Sequence, residues 1–174
     1  IEIGYIHETI SNNITHSYQE KFCNYSHFTN TITPKIVEVG PRDGLQNIKK
    51  FIPTEKKKIL IDKLVNVGLK DIEVTSFVSK KAVPQMVDAE EIIEHCNLIN
   101  KKYPDINFIA LTPNSVGYNK AIESGVHNVA IFTAASETFC KKNIGCSIDE
   151  SLDRYNHIRI NSLLKGTNVK IRGY

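Results

Sequence analysis

Residues 35–47 read KIVEVGPRDGLQN. Ile36, Val37 and Val39 favour an extended, pleated backbone, and Gly40 and Pro41 then break it. Immediately afterwards come two opposite charges, Arg42 and Asp43. An apolar strand ending in a charge pair poses a question of place, because charges at a strand end matter when that end opens onto a cavity. Working outward, the same alternation recurs. Thr54 can cap a helix over residues 55–67, with Glu55 in its first turn and Gly68 just past its end. Ile59, Leu60, Leu64 and Val67 give that helix an apolar face. DIEVTSF (71–77) is a second strand and AEEIIEHCNLINKK (89–102) a second helix, stopped near Pro104. NFIALT (107–112) is a third strand, followed by Pro113, and SVGYNKAIES (115–124) a third helix ending at Gly125. NVAIFTA (128–134) is a fourth strand. SIDESLDRYNHIRINSLL (147–164) is a fourth helix, with Ser147 as its cap and Gly166 soon after its end. NVKIRGY (168–174) is a fifth strand.

The order is βαβαβαβαβ. Strands apolar on nearly every residue, separated by amphipathic helices, imply a parallel sheet with right-handed crossovers. Two α/β folds compete: a doubly wound open sheet of five strands, and the first five strands of a (β/α)8 barrel. Pattern alone slightly favours the open sheet, which needs no part beyond these elements.

Composition narrows the function class. The 174 residues make room for one ordinary domain, and 41% hydrophobic with 24% charged residues is the profile of a soluble globular protein. No run approaches the roughly 18 apolar residues of a membrane span. A net charge of +3 is too mild to indicate nucleic acid and suits an anionic small molecule. The four cysteines, Cys23, Cys96, Cys140 and Cys146, form no C-x-x-C pair, and the six histidines form neither H-x-H nor H-E-x-x-H. Residues 1–34 are polar, rich in Asn and Thr, and weakly patterned, so a poorly ordered arm is expected there, with the domain over 35–174. The segment has no Arg and carries Glu2, Glu8 and Glu20, which makes it a poor mitochondrial transit peptide.

In either fold, chemistry gathers at the C-terminal ends of the strands, and the polar residues follow that rule. Arg42, Asp43 and Gln46 come after strand one. Glu73, Thr75 and Ser76 lie in strand two, and Thr112 and Asn114 follow strand three. Ser136, Glu137, Lys141, Lys142 and Asn143 follow strand four, and Arg172 lies in strand five. Asp suits a hard divalent cation through oxygen. Arg suits an anionic or enolate-like oxygen. An ordinary βα loop reads equally well at this point, with Pro, Gly and Asp forming the turn and Arg42 pairing structurally with Glu73.

Three blocks together are far more specific. EVGPRDGLQN (38–47), IEVTSFVSKKAVPQM (72–86) and IFTAASETFCKKNIGCSIDES (131–151) closely resemble the 3-hydroxy-3-methylglutaryl-CoA lyase family, in the same chain order and with similar gaps. GPRDGLQ alone also fits the wider group of metal-dependent aldol and Claisen-type lyases and synthases. The SFVS, VPQM and AASE…KKNI blocks select the lyase.

The resemblance implies a (β/α)8 TIM barrel, which reverses the slight preference for an open sheet. It implies a retro-Claisen carbon–carbon lyase cleaving 3-hydroxy-3-methylglutaryl-CoA to acetyl-CoA and acetoacetate, with a divalent cation, Mg2+ or Mn2+. Asp43 matches the family's metal-binding Asp. Arg42 matches the Arg on the substrate's carbonyl and enolate oxygen, and Glu73 an active-site Glu that supports it. Gln46, Lys49 and Asn143 fall at substrate-side positions. By family the compartment is the mitochondrial matrix, with peroxisomal and cytosolic relatives, and a full-length chain is a homodimer that uses neither nucleic acid nor membrane.

Several family features are not in this sequence: an H-x-H pair completing the metal site, an Asn beyond it, and a Gly-rich loop carrying the catalytic cysteine. Cys140 and Cys146 lie elsewhere and read as ordinary thiols. A complete barrel takes about 250 residues. The chain is therefore expected to be the N-terminal part of a lyase and inactive by itself. A non-catalytic remnant of the family and a related Claisen-type synthase are the alternative readings.

Overall fold

The computed structural model describes residues 34–164, 166–167 and 169–174. The arm expected over residues 1–34, and Cys23 within it, lie outside the described residues apart from Pro34. Val37–Tyr174 form one compact unit.

Four parallel strands, β1 (Asp71–Ser76), β2 (Asn107–Leu111), β3 (Asn128–Ile131) and β4 (Lys170–Gly173), pair in the order β1-β2-β3-β4. That order decides between the two expected folds. A doubly wound sheet reverses direction at a switch point so that helices cover both faces. Here each strand is added beside the one before it, and right-handed crossovers then place every helix on the same face, which is the wall of a barrel.

The helices are α1 (Thr54–Asn66), α2 (Ala89–Lys102), α3 (Ser115–Glu123), α4 (Glu137–Ile144) and α5 (Ile148–Leu164). The two faces of the sheet differ accordingly. Ile72, Val74, Phe108, Ala110 and Val129 pack with Ile61, Ile92, Ile93, Tyr118, Ala121 and Ile158 of the helices in the main core. Ile109, Leu111 and Ala130 form a smaller cluster with Val37, Phe132 and Tyr174. This second face is the barrel interior, and it is also where the polar side chains gather.

Three expectations change. KIVEV is not a full strand: it touches the sheet through one parallel bridge, Glu38 to Ile72. Glu38 N–H donates to Asp71 O at 2.9 Å and Glu73 N–H to Glu38 O at 2.8 Å. Gly40–Gly44 then coil into a single wide π-turn instead of a plain loop, which curls the backbone back over the sheet end. Second, Thr54 is the first residue of α1 and caps nothing; its hydroxyl donates to Asp88 Oδ2 at 2.8 Å. Third, α4 occupies what reads in sequence as the loop after the fourth strand. Ser136 starts it, accepting from Phe139 N–H at 3.3 Å, and Gly145 closes it at φ 73°. The expected cap of α5 is present in full. Ser147 Oγ accepts from Glu150 N–H at 3.1 Å while Glu150 Oε2 accepts from Ser147 N–H at 2.8 Å, a reciprocal capping box.

Candidate active site at the strand ends

Glu73 sits in the middle of β1, beside a bulge: register with β2 shifts between Glu73 and Thr75. A bulge re-aims the side chains that follow it. Beyond it Thr75 meets Met86 Sδ, at 3.7 Å, on the helix-covered side, while Glu73 stays on the interior face.

Glu73 is fully buried. A buried carboxylate needs partners for both oxygens, and it has them. Arg42 Nε donates to Glu73 Oε1, and the Tyr174 hydroxyl donates to Glu73 Oε2. The arrangement places the π-turn of residues 40–44 on top of the β1 end, so that Arg42 reaches down into the interior. Only 11% of the Arg42 side chain remains exposed.

The guanidinium makes a second contact. Arg42 Nη1 donates to Asp43 Oδ1 at 2.8 Å, and Gln46 Nε2 donates to the same oxygen at 2.9 Å. Adjacent residues on a strand would face opposite ways; on the turn they converge. Both bonds fall on Oδ1, which leaves Oδ2 of Asp43 outside them, and the Asp43 side chain is half exposed. One carboxylate oxygen, oriented from both sides and open to solvent, fits a single position of a hard divalent cation, which commonly takes only one or two protein carboxylates. Among the described residues, no three His, Cys, Asp or Glu side chains are grouped to hold a metal. The fit is therefore that of one ligand.

Four of the expected residues, Arg42, Asp43, Gln46 and Glu73, are thus brought into one hydrogen-bonded cluster. Lys49, in the loop before α1, and Asn143, on α4, are exposed and make no hydrogen bond to it. Cys140 and Cys146 are buried free thiols, and burial pushes Cys146 up from its ordinary range, as suits packing side chains.

Two groups escaped the sequence reading. The first is Tyr174. Its ring lies 4.5 Å from the guanidinium carbon of Arg172 and 6.0 Å from that of Arg42. Burial, and then the hydrogen bond to the Glu73 carboxylate, push its phenol well above the ordinary value. The alternation of β4 could have found it: Ile171 packs on the helix side, so Arg172 and Tyr174 share the other. The second is a buried polar clamp on residues 48–52. Gln85 Nε2 donates to Ile48 O at 2.8 Å and Lys50 O at 2.6 Å, and its Oε1 accepts from Ile52 N–H at 3.1 Å. Lys57 donates to Gln85 O and to both oxygens of Asp88, at 2.8 and 2.9 Å. Gln85 of the VPQM block therefore fixes the segment that follows the charged turn.

A family model described as HMGL-like matches residues 33–164. The chain is similar to the mitochondrial hydroxymethylglutaryl-CoA lyase of Bos taurus, 51% identical over 140 residues covering 80% of this chain and 41% of that protein. It is also similar to the cytoplasmic 3-hydroxy-3-methylglutaryl-CoA lyase of Danio rerio, 49% identical with 80% and 40% covered. Among solved structures it is similar to the hydroxymethylglutaryl-CoA lyase from Pseudomonas aeruginosa, with TM-score 0.70 and 44% identity over 79% of this chain and 44% of that one. The chain spans about two fifths of the length of the curated relatives it matches. The fold class follows: α/β, the N-terminal part of a (β/α)8 barrel with parallel strands.

Proposed function

The chain belongs to the HMGL-like family, and from that premise we propose that it carries the enolate-stabilising side of a hydroxymethylglutaryl-CoA lyase site. The substrate is 3-hydroxy-3-methylglutaryl-CoA, cleaved to acetyl-CoA and acetoacetate. The observation that supports this most is the Arg42–Glu73–Asp43 cluster at the strand ends, in which one buried carboxylate holds a guanidinium and that guanidinium helps orient a half-exposed carboxylate.

The reaction removes the proton of the tertiary hydroxyl, breaks the bond between C2 and C3, and leaves the electron pair on the thioester as an enolate, which is then protonated. Charge therefore develops on the thioester oxygen. Arg42 meets it: a guanidinium fixed before the reaction needs no reorganisation as the charge appears. Glu73 keeps Arg42 in place. A divalent cation, Mg2+ or Mn2+ in this reading, supplies Lewis-acid charge when bound. Asp43 offers it Oδ2, and Gln46 holds Asp43 in the orientation that leaves Oδ2 free. In this reading Lys49 and Asn143, both exposed, serve as substrate-side residues for the acyl-CoA. The relatives named above carry mitochondrial and cytoplasmic names, and the mitochondrial matrix and a homodimer complete the reading.

The test is a chimera in which residues 35–174 replace the matched 140 residues of the Bos taurus lyase. Acetoacetate release dependent on Mg2+ or Mn2+ is the expected result, and Arg42→Gln should lower kcat by at least about 10²-fold with the far-UV spectrum unchanged. A chimera that folds and does not cleave the substrate, or an Arg42→Gln chimera at full rate, refutes the reading. Assayed alone, the 174 residues are expected to release none, because the sequence has no H-x-H pair.

A further inference from the structure

We infer that Tyr174 is a positioning residue for Arg42, acting through Glu73, and that Arg172 holds the tyrosine ring for this task. The inference rests on Arg42 being the group that meets the substrate, and it assigns Glu73 a narrower part than a general active-site acid.

The two oxygens of Glu73 have different partners. Oε1 takes the N–H of Arg42 Nε, and Oε2 takes the phenol of Tyr174. The carboxylate is fully buried, so no solvent reaches either oxygen. Both oxygens are thus engaged by protein donors and closed to solvent. The task of Glu73 is then orientation. With Arg42 alone, Glu73 could rotate about its last torsion, a broad and roughly two-fold well. A second donor on the other oxygen removes that freedom and fixes the plane in which Arg42 lies.

Tyr174 is itself held. Its ring belongs to the small apolar cluster with Ile109, Leu111 and Ala130, and its backbone N–H donates to Ile131 O at 3.0 Å. The guanidinium of Arg172 stacks against the ring at 4.5 Å, a favourable cation–π distance. Arg172 Nη1 is buried without a hydrogen-bond partner, so the ring contact, rather than a hydrogen bond from that nitrogen, is what seats this end of the side chain. The result is a relay across the barrel interior from the end of β4 to the turn at residues 40–44: Arg172 against Tyr174, Tyr174 to Glu73, Glu73 to Arg42.

The test uses the full 174-residue chain, labelled on arginine side-chain nitrogens and tyrosine Cζ and followed by NMR. The Arg42 Hε resonance is identified by its loss in Arg42→Lys. In the wild-type chain it should be the slowest-exchanging arginine Hε. Tyr174→Phe should shift it and speed its exchange at least tenfold while the backbone amides of β1 to β4 stay in place. In the other direction, the Tyr174 phenol, identified by its loss in Tyr174→Phe, should stay protonated to higher pH than the other tyrosines, and Glu73→Gln should bring it back toward the ordinary value of 10.0. An Arg42 Hε signal indifferent to Tyr174→Phe, or a phenol indifferent to Glu73→Gln, overturns the inference; if one variant fails to fold, the other arm decides. Neither readout depends on turnover, so a failure of the lyase reading and a failure of the relay appear in different experiments.

Discussion

Gly117 lies against the backbone of Phe77: a Cβ built on the glycine would stand 2.4 Å from the Phe77 carbonyl oxygen and 3.3 Å from Pro113 Cδ. The contact seats the first turn of α3 directly on the segment that leaves β1. A methyl group there meets backbone, which cannot swing aside as a side chain can. Gly117→Ala should therefore destabilise the fold by about 2 kcal/mol through overpacking, even though Ala is intrinsically about 1 kcal/mol better than Gly inside a helix. Urea denaturation measures the difference. A variant equal to or more stable than wild type would show that α3 has room to retreat.

The clamp on the segment after the charged turn can be tested by mutation. Lys57 and Asp88 are both nearly buried, with side-chain exposures of 4% and 7%. Removing one partner of such a pair strands the other charge, at a cost of roughly 3–5 kcal/mol. Lys57→Ala should show that loss in chemical denaturation. Gln85→Leu should cost less, about 1–3 kcal/mol for unsatisfied backbone groups, and should loosen residues 48–52 selectively. Amide exchange at Ile52, whose N–H donates to Gln85, is the local probe; protection retained there would mean the loop is held by something else.

The third prediction concerns acid. The Ser147 backbone N–H, with its hydroxyl, holds the Glu150 carboxyl below its ordinary value of 4.5. A carboxyl lowered in the folded state contributes stability that is present above 4.5 and lost as pH falls through its lower folded value. The first turn of α5 should accordingly loosen in acid, seen as faster exchange of the Ser147 amide. Glu150→Gln should weaken protection of that amide at neutral pH and remove most of its acid dependence. An amide whose pH profile is the same in both chains would exclude Glu150 as the cause.

The fold and the site are legible in the sequence to different degrees. The strands at 71–76, 107–111, 128–131 and 170–173 are where alternation with helices puts them. The hydrogen-bonded cluster is foreshadowed by Arg42, Asp43, Gln46 and Glu73, because polar residues at strand ends stand out against apolar runs. The sheet order is not legible, since composition does not say which strand lies beside which; alternation fits an open sheet as well as a barrel, and the order β1-β2-β3-β4 separates them. KIVEV reads as a strand because propensity reports what a backbone favours, whereas a ladder also needs registered partners, and Glu38 provides the one bridge. The helix α4 was hidden by its Lys and Asn content, although Ser136 and Gly145 punctuate it at both ends. Lys57 was hidden differently. In the run KKK at 56–58 it reads as solvated, and only tertiary structure shows that this one of the three points inward.

Each strand of the sheet pairs with the strand made just before it, and this bears on how the chain is born. A βα unit leaving the ribosome finds its docking edge already in place and need not wait for a distant segment. Each closure spans a single strand-to-strand connection rather than the length of the chain, and the entropic cost of closure grows only slowly with that span. The π-turn bearing Arg42 and Asp43 emerges before β1, while Tyr174 arrives 101 positions after Glu73. The wall of the barrel can thus grow in step with translation, and the arginine is locked only when β4 is laid down.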